Sequence, residues 1–340
     1  MESTANTWLN WRLSIDSGDA LMNAGNEHSN PDPSRQERMI DLLRTLAPSE
    51  GYTLSALDGV RFMRSNHSLP RTPVLYEPSI VVVCQGRKRG YVNDRIYTYD
   101  AQQFLVLSVP LPFESETIAS PEEPMLAVAI RINLSVAAEL ALALDETQRH
   151  TPAVPVGICS TPLDSNLSDA VLRLLEALNS PLDARILGPS IVREIYFRVL
   201  TGEQGPALRA ALTHHSQFGK IGKALRRIHA DYNGDLDVDT LAAEAGMSIA
   251  AFHAHFKAVT MTSPIQYLKT TRLHKARLLM VQDGMSAATA AAHVGYESNS
   301  QFSREFKRFF GRTPASETAF MKNALMQSPA SGATQYVTAQ

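Results

Sequence analysis

Residues 299–308 read NSQFSREFKR, and this short stretch gathers the side-chain types that hydrogen-bond base edges and phosphates. The amides of Asn299 and Gln301 donate and accept at once, Ser300 adds a hydroxyl, and the Arg304 fork matches the paired acceptors of guanine. Lys307 and Arg308 supply charge for phosphate oxygens. At 3.6 residues per turn, Phe302 and Phe306 share one helix face and leave these polar residues on the opposite one. Taken singly, the pattern also describes two packed helices of any all-α domain.

It does not occur singly. LAAEAGMSIAAFHAHFKAVTMTSP from Leu241 returns in altered form as AAAHVGYESNSQFSREFKRFFGRTP from Ala290. In each copy an alanine-rich helix stops at a glycine (Gly246, Gly295), a short turn follows, and a serine (Ser248, Ser298) caps the next helix. Phenylalanines then recur four apart (Phe252 and Phe256, Phe302 and Phe306). The spacing from the second phenylalanine to a proline is eight in both, Phe256 to Pro264 and Phe306 to Pro314. This is a helix-turn-helix written twice. Gln301, three residues after Ser298, predicts a capping box at the second recognition helix. Between the copies, Ile265–Gln282 predicts a helix about 27 Å long, suited to presenting two recognition helices to successive major grooves about 34 Å apart.

Other chemistry is thinly supported. A metal needs three or more converging donors, yet residues 51–132 hold a single histidine, His67, which reads as a surface or strand-edge residue. Neither His253 and His255, on different faces of one helix, nor His214 and His215 form a ligand set. No cofactor, metal site or enzymatic activity is expected. Two cysteines stand far apart, which excludes a disulfide framework and suits a reducing cytoplasm. Cys84, in the run IVVVC, reads first as a small buried apolar residue. The sharper alternative, prompted by Arg87, Lys88 and Arg89 nearby, is a sensing thiol of lowered pKa. Arg87 and Lys88 are likewise candidates for an anionic effector, against the plainer reading of a charged hairpin in water.

These residues need two domains to carry them. The chain has 340 residues, 44% of them apolar and 19% charged, and no stretch long and apolar enough to span a membrane. Residues 217–340 carry 14 Lys and Arg against 9 Asp and Glu, whereas residues 1–216 carry 18 against 25, so the C-terminal part suits an anionic partner. The expected fold class is α+β multidomain: an N-terminal cupin-like β-barrel with flanking helices, and a C-terminal all-α double helix-turn-helix. Residues 1–35 read as a disordered arm, 36–204 as the sensor domain with a helical dimerisation segment, 205–217 as a linker, 218–325 as the DNA-binding domain and 326–340 as a disordered tail. Strands are predicted at 60–64, 79–85, 90–92, 96–99, 104–109, 113–118 and 126–132, with a tight turn at Asn93-Asp94. Helices are predicted over 39–46, 166–178 and 189–200, the last two with apolar stripes that suit a dimer interface.

Residues 218–325 resemble the DNA-binding domain of the AraC/XylS family through SPIQYLKTTRLHKARLLM and VGYESNSQFSREFKRFFGRTPASE. Residues 53–200 resemble the sensor region of one subgroup through LYEPSIVVVCQGRKRGYV, FLVLSVPLPF and ILGPSIVREIYFRVLTGEQGPALR. The resemblance implies a regulator that binds double-stranded promoter DNA, responds to a small-molecule effector, forms a homodimer and meets RNA polymerase. It places base contacts at Ala250, His253 and Ala254 in the first unit and at Asn299, Ser300, Gln301 and Arg304 in the second. Lys257, Arg272, Lys307 and Arg308 are then expected on phosphates. The sequence departs from the family at Ala254 and His255, where relatives often carry arginine, and at Met261, where a glycine commonly follows the threonine. Ala287 and Ala292 replace larger apolar residues. These changes imply weaker readout by the first unit and looser packing in the second. The competing readings are a non-specific architectural DNA-binding protein and, less favoured, a cupin-type enzyme with a DNA-binding tail.

Overall fold

The computed structural model describes residues 33–92, 95–101, 103–147, 157–212 and 217–326, so the residues before 33, after 326, and the histidines at 214 and 215 lie outside the described part. The chain opens with α1 (Pro33–Leu46) and then builds two antiparallel sheets. One has the order β1 (Gly51–Leu54), β2 (Val60–Ser65), β9 (Met125–Arg131), β4 (Ser79–Gln85), β7 (Gln103–Leu107), β10 (Ile158–Pro162). The other runs β3 (Leu69–Tyr76), β8 (Leu111–Ile118), β5 (Arg87–Val92), β6 (Arg95–Asp100).

Strand β4 shows why the first sheet is central. Its residues are buried on both faces: Ile80, Val82 and Cys84 pack under helices, while Val81 and Val83 face the second sheet. The helical cover is α1, α3 (Ser165–Leu178) and α5 (Gly188–Thr201), which contribute Met39, Leu43, Val171, Leu174, Leu175, Ile195 and Val199 to that core. The apolar stripes of α3 and α5 thus pack largely inside their own domain, with Phe197 of α5 left exposed. Helix α2 (Leu134–Thr147) and the short α4 (Pro181–Ile186) complete the layer, and α4 leaves Leu182 and Ile186 exposed.

All seven expected strands form, within a residue or two at most ends except for β5, which starts three residues early. Three were missed. β3 contains Pro70 and Pro73, which argue against a central strand, but it lies at the edge of its sheet, where a missing N–H costs no ladder bond. β1 is only four residues long, and β10 lacks any alternation signal. Val92 pairs with Arg95 as a two-residue turn requires; the turn residues 93 and 94 are outside the described part. Within the expected linker, residues 205–212 form α6 (Gly205–Leu212), which buries Leu208 against the sensor core.

The C-terminal helices are α7 (Gln217–Ala230), α8 (Val238–Glu244), α9 (Ile249–Thr260), α10 (Pro264–Gln282), α11 (Ala287–His293), α12 (Asn299–Phe310) and α13 (Pro314–Met326). They enclose two small cores, one per repeat. α10 belongs to both: Tyr267 and Leu268 near its start join the core of Phe252 and Phe256, while Leu273, Ala276 and Met280 join that of Phe302 and Phe306. A helix buried at both ends holds the two units at a fixed separation.

The two domains interlock. Val109, from the segment between β7 and β8, sits in the core of the first helix-turn-helix unit, and Met261, at the end of α9, packs against the core between the sheets. The Tyr267 hydroxyl donates to the Pro110 carbonyl at 2.7 Å, and Arg277 Nη2 donates to the Pro73 carbonyl at 3.0 Å. Met261 is the one non-glycine residue with a left-handed backbone (φ 61) among those described, at the position where the second repeat has Gly311. That conformation costs about 1 kcal/mol for a residue with a side chain, and burial of the Met261 side chain against the sensor domain offsets it.

Candidate nucleic-acid interface

The two repeats fold alike at the level of atoms. Ser248 accepts from the Ala251 N–H and Ser298 from the Gln301 N–H, both at 3.3 Å, so each recognition helix has its N-cap. Gly246 and Gly295 take positive φ of 62° and 81°. Gly295 is doubly required, because a Cβ there would lie 2.6 Å from the Asn233 carbonyl oxygen. The phenylalanine pairs Phe252–Phe256 and Phe302–Phe306 both have centroids 5.4 Å apart and are fully buried.

The faces opposite these rings are exposed. On α9 they present Ala250, His253, Ala254 and Lys257; on α12 they present Asn299, Ser300, Gln301, Arg304, Lys307 and Arg308. The structure thus brings each set expected on DNA to one helix face, apart from Arg272. The first set is short of donors, since Ala250 and Ala254 offer only methyl groups. The second mixes amide, hydroxyl, guanidinium and ammonium groups on one surface. Ala292 is exposed on α11, so its small side chain takes nothing from the core of the second unit, whose Ala290 and Ala291 are fully buried.

Two sequence expectations are corrected here. Arg272 does not point to a phosphate: its Nε donates to the Tyr232 carbonyl at 2.6 Å, Nη1 to that of Gly295 at 3.1 Å and Nη2 to that of Gly234 at 2.8 Å. Its guanidinium ties the turn of the second unit to the segment after α7, a geometry no spacing rule reveals. The capping box is also half formed. Gln301 supplies its backbone N–H to Ser298, but its side-chain Nε2 turns the other way, to Glu305 Oε1 at 3.2 Å.

Glu305 is a residue the sequence reading passed over. Its other partners are Lys269 of α10, at 2.9 Å, and the Tyr296 hydroxyl, at 2.8 Å. Burial opposes its ionisation, but the hydrogen bonds from Lys269, Tyr296 and Gln301 outweigh that and hold the carboxyl below the usual range. A second missed group lies at the far end of α10. Arg277 and Glu317, both almost fully buried, pair at 3.3 Å, and Arg312 approaches the other Glu317 oxygen at 3.3 Å. Buried charges of this kind persist only when paired, which fixes α13 on α10.

The sensor-side candidates divide. Cys84 is buried among apolar side chains, and that burial pushes its thiol up to about 12, the reverse of a reactive thiolate. This environment favours the plain reading of Cys84 as a buried apolar residue over a sensing thiol. Strand alternation in β5 sends Arg87 and Arg89 outward, to Asp100 at 3.2 Å and Glu116 at 3.5 Å. Lys88 points inward, so the plainer hairpin-in-water reading fails for that residue. It is buried between the sheets, its Nζ donates to Thr117 Oγ1 at 3.0 Å, and burial lowers its pKa. Among the described residues no carboxylate pairs with it. The Tyr99 hydroxyl and Ser115 Oγ nearby on the same sheet are buried without a hydrogen-bond partner. No cluster of three or more His, Cys, Asp or Glu residues able to hold a metal occurs among the described residues, and no described helix is long and apolar enough to cross a membrane.

Comparison with known proteins bears on both domains. Residues 56–207 match the profile of the AraC-type transcriptional regulator N-terminus, and residues 241–318 match a helix-turn-helix domain. The Msm operon regulatory protein of Streptococcus mutans is 23% identical over 159 residues, covering 46% of this chain and 56% of that protein. The HTH-type transcriptional regulator ExsA of Pseudomonas aeruginosa is 25% identical over 174 residues, covering 51% and 61%. The RCS-specific HTH-type transcriptional activator RclR of Escherichia coli is 38% identical over 77 residues, covering 23% and 27%. The chain therefore spans little more than half the length of the first two relatives. Among solved structures, ToxT from Vibrio cholerae bound to an unsaturated fatty acid aligns with a TM-score of 0.50 at 13% identity, covering 76% of this chain and 94% of ToxT. ToxT bound to (E)-4-(8-methylnaphthalen-1-yl)but-3-enoic acid gives 0.51 at 12%, covering 76% and 98%. At that identity the likeness is one of fold, a β-sheet domain followed by a helical helix-turn-helix domain. Two profiles in this order on one chain, each falling on the domain whose geometry called for it, show an AraC-type regulator N-terminus followed by a helix-turn-helix domain.

Proposed function

We propose that the protein is a sequence-specific DNA-binding regulator of transcription, without catalytic activity of its own, that reads promoter DNA mainly through α12. The observation that carries this is the exposed face of α12, where Asn299, Ser300, Gln301 and Arg304 stand ready for base edges and Lys307 and Arg308 for phosphates. α9 adds Lys257 for a phosphate and His253 for a single polar contact, and its alanines limit it to a supporting part.

The same reading includes an effector held between the two sheets. Lys88 supports it: a buried ammonium without a carboxylate, beside the unpartnered hydroxyls of Tyr99 and Ser115, is a place where an anionic small molecule supplies the missing charge. ToxT, which shares the fold, is known with a fatty acid bound. The interlock of Val109, Met261, Tyr267 and Arg277 gives such a ligand a route to α9 and α10. Homodimerisation, for which Leu182, Ile186 and Leu187 offer exposed apolar surface, and contact with RNA polymerase complete the proposal.

The test is recovery of genomic fragments by the purified full chain at about 150 mM salt, where non-specific attraction to phosphates is suppressed. A shared motif with two elements about one helical turn apart is the expected result. Uniform, strongly salt-sensitive recovery would overturn sequence-specific reading in favour of an architectural role.

A further inference from the structure

We infer that Glu305 sets which end of the Gln301 amide is offered to DNA, and thereby makes Gln301 a reader of bases that carry an exocyclic amine. The inference rests on the proposed reading of promoter DNA and adds a positioning residue to it. An ionised carboxylate can only accept hydrogen bonds, so the end of the amide that lies 3.2 Å from Glu305 Oε1 is Nε2, and Oε1 of Gln301 is directed away. In the major groove the groups that can donate to that oxygen are adenine N6 and cytosine N4, whereas guanine and thymine present acceptors. One Nε2 hydrogen remains uncommitted, so adenine, with its N7 acceptor beside the N6 amine, fits better than cytosine.

Glu305 is itself held from two other elements. Lys269 reaches it from α10 and Tyr296 from the turn before α12, and its side chain is only 13% exposed. Each carboxylate oxygen has a partner outside α12, which prevents the carboxylate from turning and releasing the amide. The first unit lacks the device, because the matching positions are Ala251 and His255. Base discrimination of this kind is therefore confined to the second unit.

The experiment selects binding sites for the full chain from random duplex DNA and finds the base pair whose preference is lost in Gln301→Ala. That base is then replaced by an analogue lacking the exocyclic amine, purine in place of adenine. Wild type is expected to lose about fivefold or more in affinity, the worth of one hydrogen bond at a buried contact. Glu305→Ala should bind natural and analogue DNA within about twofold of each other, while Glu305→Gln, which keeps an acceptor oxygen, should restore the dependence. A role in folding alone would lower affinity for both DNAs equally and would not be rescued in this way. If Glu305→Ala loses helix content, the double variant Glu305→Ala with Lys269→Met removes the stranded ammonium and serves instead. Full dependence on the amine in either variant overturns the inference. So does a wild-type motif in which Gln301→Ala changes no position, an outcome that leaves the DNA-reading function standing; failure to enrich any motif overturns both together.

Discussion

Acidification should weaken the protein through His229, by an amount that can be worked out. His229 Nε2 lies 2.7 Å from the Tyr267 hydroxyl, whose single proton goes to the Pro110 carbonyl at 2.7 Å. The hydroxyl must therefore accept from His229, which fixes the imidazole as the neutral tautomer protonated on Nε2. A second proton would place a charge in a buried site with Lys275 beside it, and burial first, then Lys275, lowers the pKa to about 4. An unfolded histidine takes up its proton near 6.5, so the stabilisation is fully present above that value and is lost as pH falls toward 4. The full loss is about 3 kcal/mol, and about 2 kcal/mol of it is gone at pH 5. Both tryptophans, Trp8 and Trp11, precede the described residues, so urea unfolding at pH 7 and pH 5 is best followed by far-ultraviolet circular dichroism. His229→Gln can still donate to Tyr267 but does not titrate, and its stability should fall less than that of wild type by about 2 kcal/mol between the two pH values. His274, whose pKa is also depressed by burial and by Arg277, contributes equally to both proteins and cancels. Parallel losses in wild type and variant would refute the tautomer and the burial argument alike.

Arg304→Ala should cost about 1–3 kcal/mol on the specific site and relax one base position, whereas Lys307→Ala should weaken all sequences alike and reduce the salt slope by about one; titrations on specific and random duplexes across salt separate the two. Arg272→Ala strands three carbonyls and should lower stability by about 2 kcal/mol, with DNA binding restored wherever folding is, as unfolding and binding measured together will show. Lys88→Met removes a buried ammonium whose hydrogen bond goes to Thr117 and not to a carboxylate, and should leave stability unchanged or raise it by about 1 kcal/mol in urea unfolding; a loss above about 2 kcal/mol would mean that the ammonium has an anionic partner in the folded protein. Cys84 and Cys159, both with thiols pushed up to about 12, should resist iodoacetamide in the native protein at neutral pH and react only on unfolding, as mass spectrometry will record.

The sequence by itself determined what local periodicity and repetition can carry. The glycine, serine and phenylalanine positions of the two repeats define each helix-turn-helix because backbone freedom, capping and amphipathic spacing act over a few residues. The strands were legible for the same reason wherever alternation or an apolar run marked them. Tertiary structure decided the assignments that depend on where a side chain ends. Arg272 reads as one more surface cation until the fold brings three carbonyls around it, from Tyr232, Gly234 and Gly295. Lys88 lies between two arginines in sequence, and only the pairing of β5 with β6 and β8 turns it inward while they turn out. Glu305 acquires its role from partners contributed by α10 and by the turn, which no spacing within α12 encodes. The interlock of the two domains likewise rests on contacts separated by more than a hundred residues, as between Tyr267 and Pro110. Local order follows from neighbours along the chain, whereas the direction and pairing of a charge follow from neighbours in space.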